Sequence, residues 1–98
     1  VVLERAEVHI KAELIDEAMR LISERGLALT KQYTGCLSFK AMQCVEHPER
    51  VMFLAEWTSI EAHQESRHEP SHVEFREMLL PYAAGAVPTV HFVEVQEA

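Results

Sequence analysis

Cationic residues are scarce in this chain: Lys and Arg number 9 against 16 Asp and Glu, a formal charge of −7 over 98 residues. That balance repels phosphate backbones, and no basic run is long enough to form a local exception, which speaks against nucleic acid as a partner. Apolar runs of membrane-spanning length are missing as well, so no membrane partner is expected. Only two cysteines occur, Cys36 and Cys44. Both fall in one expected strand, where their spacing at ~3.3 Å per residue sets them about 26 Å apart, beyond disulfide reach. Two unpaired thiols fit a reducing, cytoplasmic setting, where cysteine more often serves as a small buried hydrophobe than as a nucleophile. A Gly-rich phosphate loop and a G-x-S-x-G elbow are both absent, so nucleotide cofactors and serine hydrolysis lack support. The first residues, VVLERAEVHIK, carry early charges and no small-residue cleavage site, and are not expected to be a signal peptide.

What is present, 48% hydrophobic and 26% charged residues, describes a single domain over residues 1–98. At this size one core is only moderately stabilising, and burial against a second copy of the chain is a natural supplement. Val2 to Lys11 alternates and is β-branched, a first strand. From Glu13, Leu14, Ala18, Leu21 and Ile22 recur at helical spacing. Gly26 either caps that helix or is followed by a second short helical piece from Leu27 to Gln32. Thr34-Gly35 makes a turn into a strand from Cys36 to Val45, and Pro48 marks the loop before a strand from Val51 to Trp57. Thr58-x-x-Glu61 has capping-box spacing, so a helix carrying His63 should follow. Pro70 opens a last helix, Ser71 to about Tyr82. Ala83 to Ala86 reads as a small-residue link, and Val87 to Val95 as a final strand begun or edged by Pro88.

The order β-α-β-β-α-β is the split βαβ arrangement of an α+β, ferredoxin-like domain: an antiparallel sheet with helices on one face. Val51, Phe53 and Ala55 alternate with Met52 and Leu54, so both faces of that strand call for cover, and the sheet of a second subunit would supply the second.

Histidine and arginine carry the candidate chemistry. His72 and Arg76 share the apolar stripe of the last helix with Phe75, Leu79 and Leu80. One reading has Arg76 snorkelling or pairing with a carboxylate such as Glu56, and His72 satisfied in the core or an interface. The other puts a guanidinium inside a pocket to stabilise an anionic substrate. His63 follows Ile60 by three and should face inward beside it, either as a general base or as a histidine bonded to backbone. Trp57 is core or a pocket wall whose indole N–H needs a partner. A metal is disfavoured: Pro70 separates His68 from His72 and spoils a helical H-x-x-x-H pair.

Phe53-Leu-Ala-Glu-Trp-Thr-Ser59, then Glu61-Ala62, Pro70 and Glu74-Phe-Arg-Glu-Met-Leu79, resemble the antibiotic-biosynthesis-monooxygenase (ABM) domain family. The resemblance implies a homodimeric α+β barrel of two ferredoxin-like halves and, as in several members, oxidation of aromatic polyketides or quinols by dioxygen with no metal or flavin cofactor. It matches Trp57 to the tryptophan lining the family pocket and Arg76 to the arginine of the final helix in polyketide-anthrone oxygenases. His63 stands where those enzymes have a tyrosine. Phe53 replaces an asparagine, and Ser66 occupies a position where many members have histidine. Haem degradation is disfavoured, because the first strand lacks asparagine and Arg76 takes the place of a helix histidine. The function so implied is a monooxygenase acting on a small aromatic substrate, with His63 as base, Arg76 as anion stabiliser, Trp57 beside them, and Phe53, His72, Phe75 and Leu79 around the substrate. The alternatives are a non-catalytic dimeric ligand-binding or stress-response module, and an isomerase or decarboxylase, on the same fold.

Overall fold

A computed structural model describes all residues, Val1–Ala98. Four strands, β1 (Val2–Ile10), β2 (Cys36–Gln43), β3 (Arg50–Trp57) and β4 (Ala83–Phe92), form one sheet in the order β2-β3-β1-β4 with every neighbouring pair antiparallel. The helices are α1 (Ile15–Leu21), α2 (Leu27–Thr30), α3 (Ile60–Ser66) and α4 (Pro70–Leu79). The expected α+β, ferredoxin-like order is the observed one.

Alternation in β3 decides which face the helices cover. Val51, Phe53, Ala55 and Trp57 are buried, while Met52, Leu54 and Glu56 between them are only partly so. Onto the buried row pack Ala18 and Ile22 from the first helical stretch, Leu29 and Tyr33 beyond it, and Phe75 and Leu79 from α4. The opposite face carries Leu3, Leu54, Met52 and Met42, with Val90 and Phe92 38% and 50% exposed.

Gly26 does not cap a helix. Its backbone is right-handed helical (φ −59°), and a π-helical turn over Ile22–Gly26 carries the chain straight into α2. The reason for glycine is proximity: a Cβ there would come within 3.1 Å of both Phe75 Cε2 and Met78 Cε on α4. Gly35, by contrast, takes the left-handed conformation (φ 81°) that favours glycine, in the turn before β2. Glu69 secures that turn from the start of α4, accepting from Thr34 N at 2.9 Å and Thr34 Oγ1 at 2.6 Å. Those bonds hold the Glu69 carboxyl below its ordinary range, and they fix Tyr33, one residue earlier, over the sheet.

Several boundaries depart from expectation, the end of the last strand among them: β4 stops at Phe92, short of Val95. Ser59, not Thr58, caps α3: its extended backbone lets Oγ accept from Ala62 N at 3.0 Å, while Thr58 N is already committed to Gly35 O. The last helix stops at Leu79 and closes through a 3₁₀ turn, Leu80–Tyr82, because Pro81 has no N–H to continue it. Ala83 to Ala86 is strand, not link: Ile10, His9 and Val8 of β1 offer a free edge that pairs with Ala83, Gly85 and Ala86. Pro88 is tolerated because β4 is an edge strand, and the register slips between Arg5/Val90 and Glu7/Val87, a bulge that absorbs it.

Candidate functional site

A cavity of about 270 Å³ lies between the sheet and α3 and α4. Strands supply Glu4 and Ala6 (β1), Phe39 (β2), Phe53 (β3), and Thr89 and His91 (β4). The helical side supplies His63 and Gln64 from α3, Arg67 at its end, His72, Phe75 and Arg76 from α4, and Tyr33. Phe39, Phe53 and Phe75 pack edge-on or tilted, with ring centres 5.3 to 5.7 Å apart, and form an apolar wall. A larger, open hollow of about 640 Å³ between α2 and β2 holds only scattered groups, among them Cys36, whose thiol burial pushes up to about 11.

Four rings stand nearly parallel at one side of the cavity, three of them, Tyr33, His63 and His72, in its lining and Trp57 behind them. Trp57 is 4.7 Å from His63 and 6.0 Å from Tyr33, and His72 is 4.2 Å from Tyr33 and 6.0 Å from His63. Trp57 is fully buried and does not line the cavity; its indole N–H donates to Glu4 Oε1 at 2.9 Å and so holds the carboxylate in place. Leu79 is also outside the lining and belongs to the core. Phe53, His63, His72, Phe75 and Arg76 do line it.

His63 is 5% exposed, whereas Ile60, its expected inward companion, is 38% exposed; α3 buries His63 and Ser66 instead. Its Nε2 is 3.4 Å from Glu4 Oε1 and its Nδ1 is 2.7 Å from His91 Nε2. The Glu4 contact is a charge-to-ring proximity and not a hydrogen bond, whereas the His63–His91 contact is a hydrogen bond whose direction follows the tautomers of the two rings. Glu4, His63 and His91 thus form one cluster, with the His63 ring bonded to His91 through Nδ1 and facing the carboxylate through Nε2. Burial, then repulsion from His91, His72 and Arg67, pulls His63 down to about 4, so it is neutral at neutral pH. Burial raises Glu4, against the lowering effect of its bond from Trp57.

His72 is likewise neutral, pulled to about 4 chiefly by burial and next by Arg76. Its Nδ1 meets Ser66 Oγ at 3.1 Å, while His68 is exposed on the outer side. The Tyr33 hydroxyl is buried with no hydrogen-bond partner, and burial holds it protonated, well above the usual phenol range. A buried, unsatisfied donor is uncommon and calls for an acceptor. Arg76 is exposed at the cavity mouth, not enclosed within it, because α4 buries the row Ser71, Phe75, Leu79 and leaves Arg76 and Leu80 at its margin. It does not pair with Glu56, which accepts from Ser38.

Glu4, His91 and Tyr33 escaped the sequence reading. One signal for Glu4 was available: Val2, Ala6, Val8 and Ile10 share its parity in β1, so an inward carboxylate was implied by the alternation itself. His91 had none, since the bulge at Pro88 resets the parity of β4.

Comparison with known proteins agrees with the architecture. The family model described as antibiotic biosynthesis monooxygenase matches residues 2–78. No curated protein matches the chain. Among solved structures, an antibiotic biosynthesis monooxygenase superposes with a TM-score of 0.83 at 20% identity, covering 98% of this chain and 100% of its own. A conserved protein from Methanosarcina mazei gives 0.78 at 21%, with 93% and 89% covered. A Mycobacterium tuberculosis protein, Rv0793, gives 0.78 at 18%, with 99% and 97% covered. At such identities these likenesses concern the fold.

Proposed function

The chain belongs to the antibiotic biosynthesis monooxygenase family, and from that premise we propose that it oxidises a small, electron-rich aromatic, a quinol or anthrone, with dioxygen. The observation that carries this reading is the cluster of buried Glu4 and His63 with half-buried His91, opening on an aromatic-walled cavity. The His63–His91 imidazole pair takes the proton from the substrate, with the Glu4 carboxylate beside His63 to offset the charge. The Tyr33 hydroxyl donates to the ring oxygen, and Arg76 at the mouth stabilises the anion. Trp57 acts through Glu4, holding the carboxylate in place.

The ionised substrate then reduces dioxygen itself. One electron passes to oxygen, the radical pair joins to form a C–O bond, and the peroxide takes up the proton held by the imidazole pair. Loss of the remaining proton at that carbon breaks the O–O bond, releases water and leaves a carbonyl. One oxygen atom enters the product, the other leaves as water, and the substrate supplies all the electrons. The protein contributes the base, the oxyanion donors and a cavity screened from water.

The same reading makes the protein a homodimer, with the sheet face bearing Leu3, Leu54, Val90 and Phe92 covered by a second copy. Oxygen uptake with a naphthohydroquinone tests the function. His63→Phe should lower it about a hundredfold or more, as loss of a general base does. Uptake at the parental rate in a folded His63→Phe variant refutes the assignment.

A further inference from the structure

A cleft of about 390 Å³ opens outward from the cavity, lined by Gln64, Arg67, His68 and Arg76. Gln64, Arg67 and Arg76 line both spaces, so the cleft and the cavity meet at these side chains. No carboxylate lines the cleft. Arg25 and Arg50 have carboxylate partners, Glu74 and Glu7; Arg67 and Arg76, like Arg5 and Arg20, have none, but Arg67 and Arg76 alone among these share one cleft. In a chain of net charge −7, two unpartnered guanidiniums converging on one opening run against the composition.

A simpler account exists for each arginine alone. Arg67 ends α3 and Arg76 stands in the last turn of α4, where cations complement the helix dipole. That explains the sign of each charge, but not why the two, from different helices, border the same cleft at the mouth of an apolar cavity. Planar guanidiniums at such a mouth suit a carboxylate, which they bind through charge-assisted hydrogen bonds.

Resting on the reading that the cavity holds an aromatic ring, we propose that the cleft is an anion subsite and that the ligand is an aromatic acid. Its ring lies against Phe39, Phe53 and Phe75, and its carboxylate lies between Arg67 and Arg76, with the Gln64 amide beside them. A ring acid whose hydroxyl neighbours the carboxylate brings the oxygen that ionises to the same cations. The chamber, at about 270 Å³, is at the small end for ligand pockets and suits one or two fused rings with the charged group left outside.

Calorimetric titration with a hydroxynaphthoate and its uncharged hydroxynaphthamide isostere tests this. The acid should bind at least tenfold more tightly, and the preference should shrink as salt is raised. Arg67→Gln and Arg76→Gln should each cut the preference, and together bring the ratio close to one; both residues are exposed, so the fold is not at stake. Equal binding of acid and amide, or a preference that survives the double variant, overturns the subsite. Binding of neither overturns the subsite and the aromatic cavity with it. Oxygen uptake with a naphthohydroquinone, with and without a ring carboxylate, separates this inference from the function it rests on. Preferred binding of the acid without oxygen uptake leaves the subsite standing and removes the oxygenase. Equal turnover of both substrates, with equal binding, does the reverse.

Discussion

Acidification should destabilise this protein early, because one buried and one half-buried ring must gain charge. His63 and His72 are both pulled from an ordinary value of 6.5 to about 4, mainly by burial. In the unfolded chain each binds a proton near pH 6.5, and in the folded chain only near pH 4. Between those values the unfolded state holds more protons, so stability falls as pH drops through that window and is unaffected above it. By pH 4.5 each ring should cost roughly 2.5 kcal/mol relative to pH 7.5. Glu4 works in the opposite sense. Its raised value means the folded carboxyl takes up a proton before the unfolded one does, which returns part of the loss. Glu7 and Glu69, both lowered, weaken the fold further only near and below their ordinary carboxylate range. Against a total of about 5 to 15 kcal/mol for a typical domain, the two histidines alone should remove a large share. Urea unfolding followed by circular dichroism at pH 7.5 and 4.5 measures it. His72→Phe keeps a ring stacked on Tyr33 and should roughly halve the difference between the two pH values. Identical midpoints at both pH values in the parent would refute the claim that these rings are held neutral by the fold.

Gly26→Ala should destabilise by about 1 to 3 kcal/mol, the usual cost of overpacking, since its methyl meets Phe75 and Met78 at 3.1 Å; thermal melts check it, and an unchanged midpoint contradicts the close approach. Cys36→Ala with Cys44→Ala should keep fold and turnover, because both thiols are free and Cys36 is held protonated; loss of activity in a folded double variant points to thiol chemistry. Light scattering at micromolar concentration should give twice the 11.2 kDa chain mass, and a monomer removes the dimer.

The fold was legible because its signals are local. Alternation in β3 and helical spacing around Ala18 and Ile22 need no knowledge of the rest of the chain, and Pro70 marks a helix start by its own chemistry. Where the reading slipped or stayed open, tertiary packing decided the matter. Gly26 reads equally as a cap or as a passage into a second helical piece until the approach of α4 is known, and Ala83 to Ala86 looks like a link until β1 offers its edge. The site was legible in part for the same reason. His63, Phe75 and Arg76 sit on or beside helical faces whose spacing can be read, but the partners of His63 come from two strands at opposite ends of the sequence. Glu4 and His91 meet only through the β1–β4 register. Trp57 was recognisable as needing a partner for its indole N–H; that the partner is the carboxylate behind His63 required the sheet.

Turnover of a naphthohydroquinone under labelled dioxygen, with the fate of the label read by mass spectrometry, tests the central claim most directly. The account predicts one labelled oxygen atom in the product and the other in water, with no added reductant, and the loss of both signals in His63→Phe. Oxygen consumption that ends entirely in hydrogen peroxide, or none with any reduced aromatic, would contradict it; the second result would favour a binding module on the same fold.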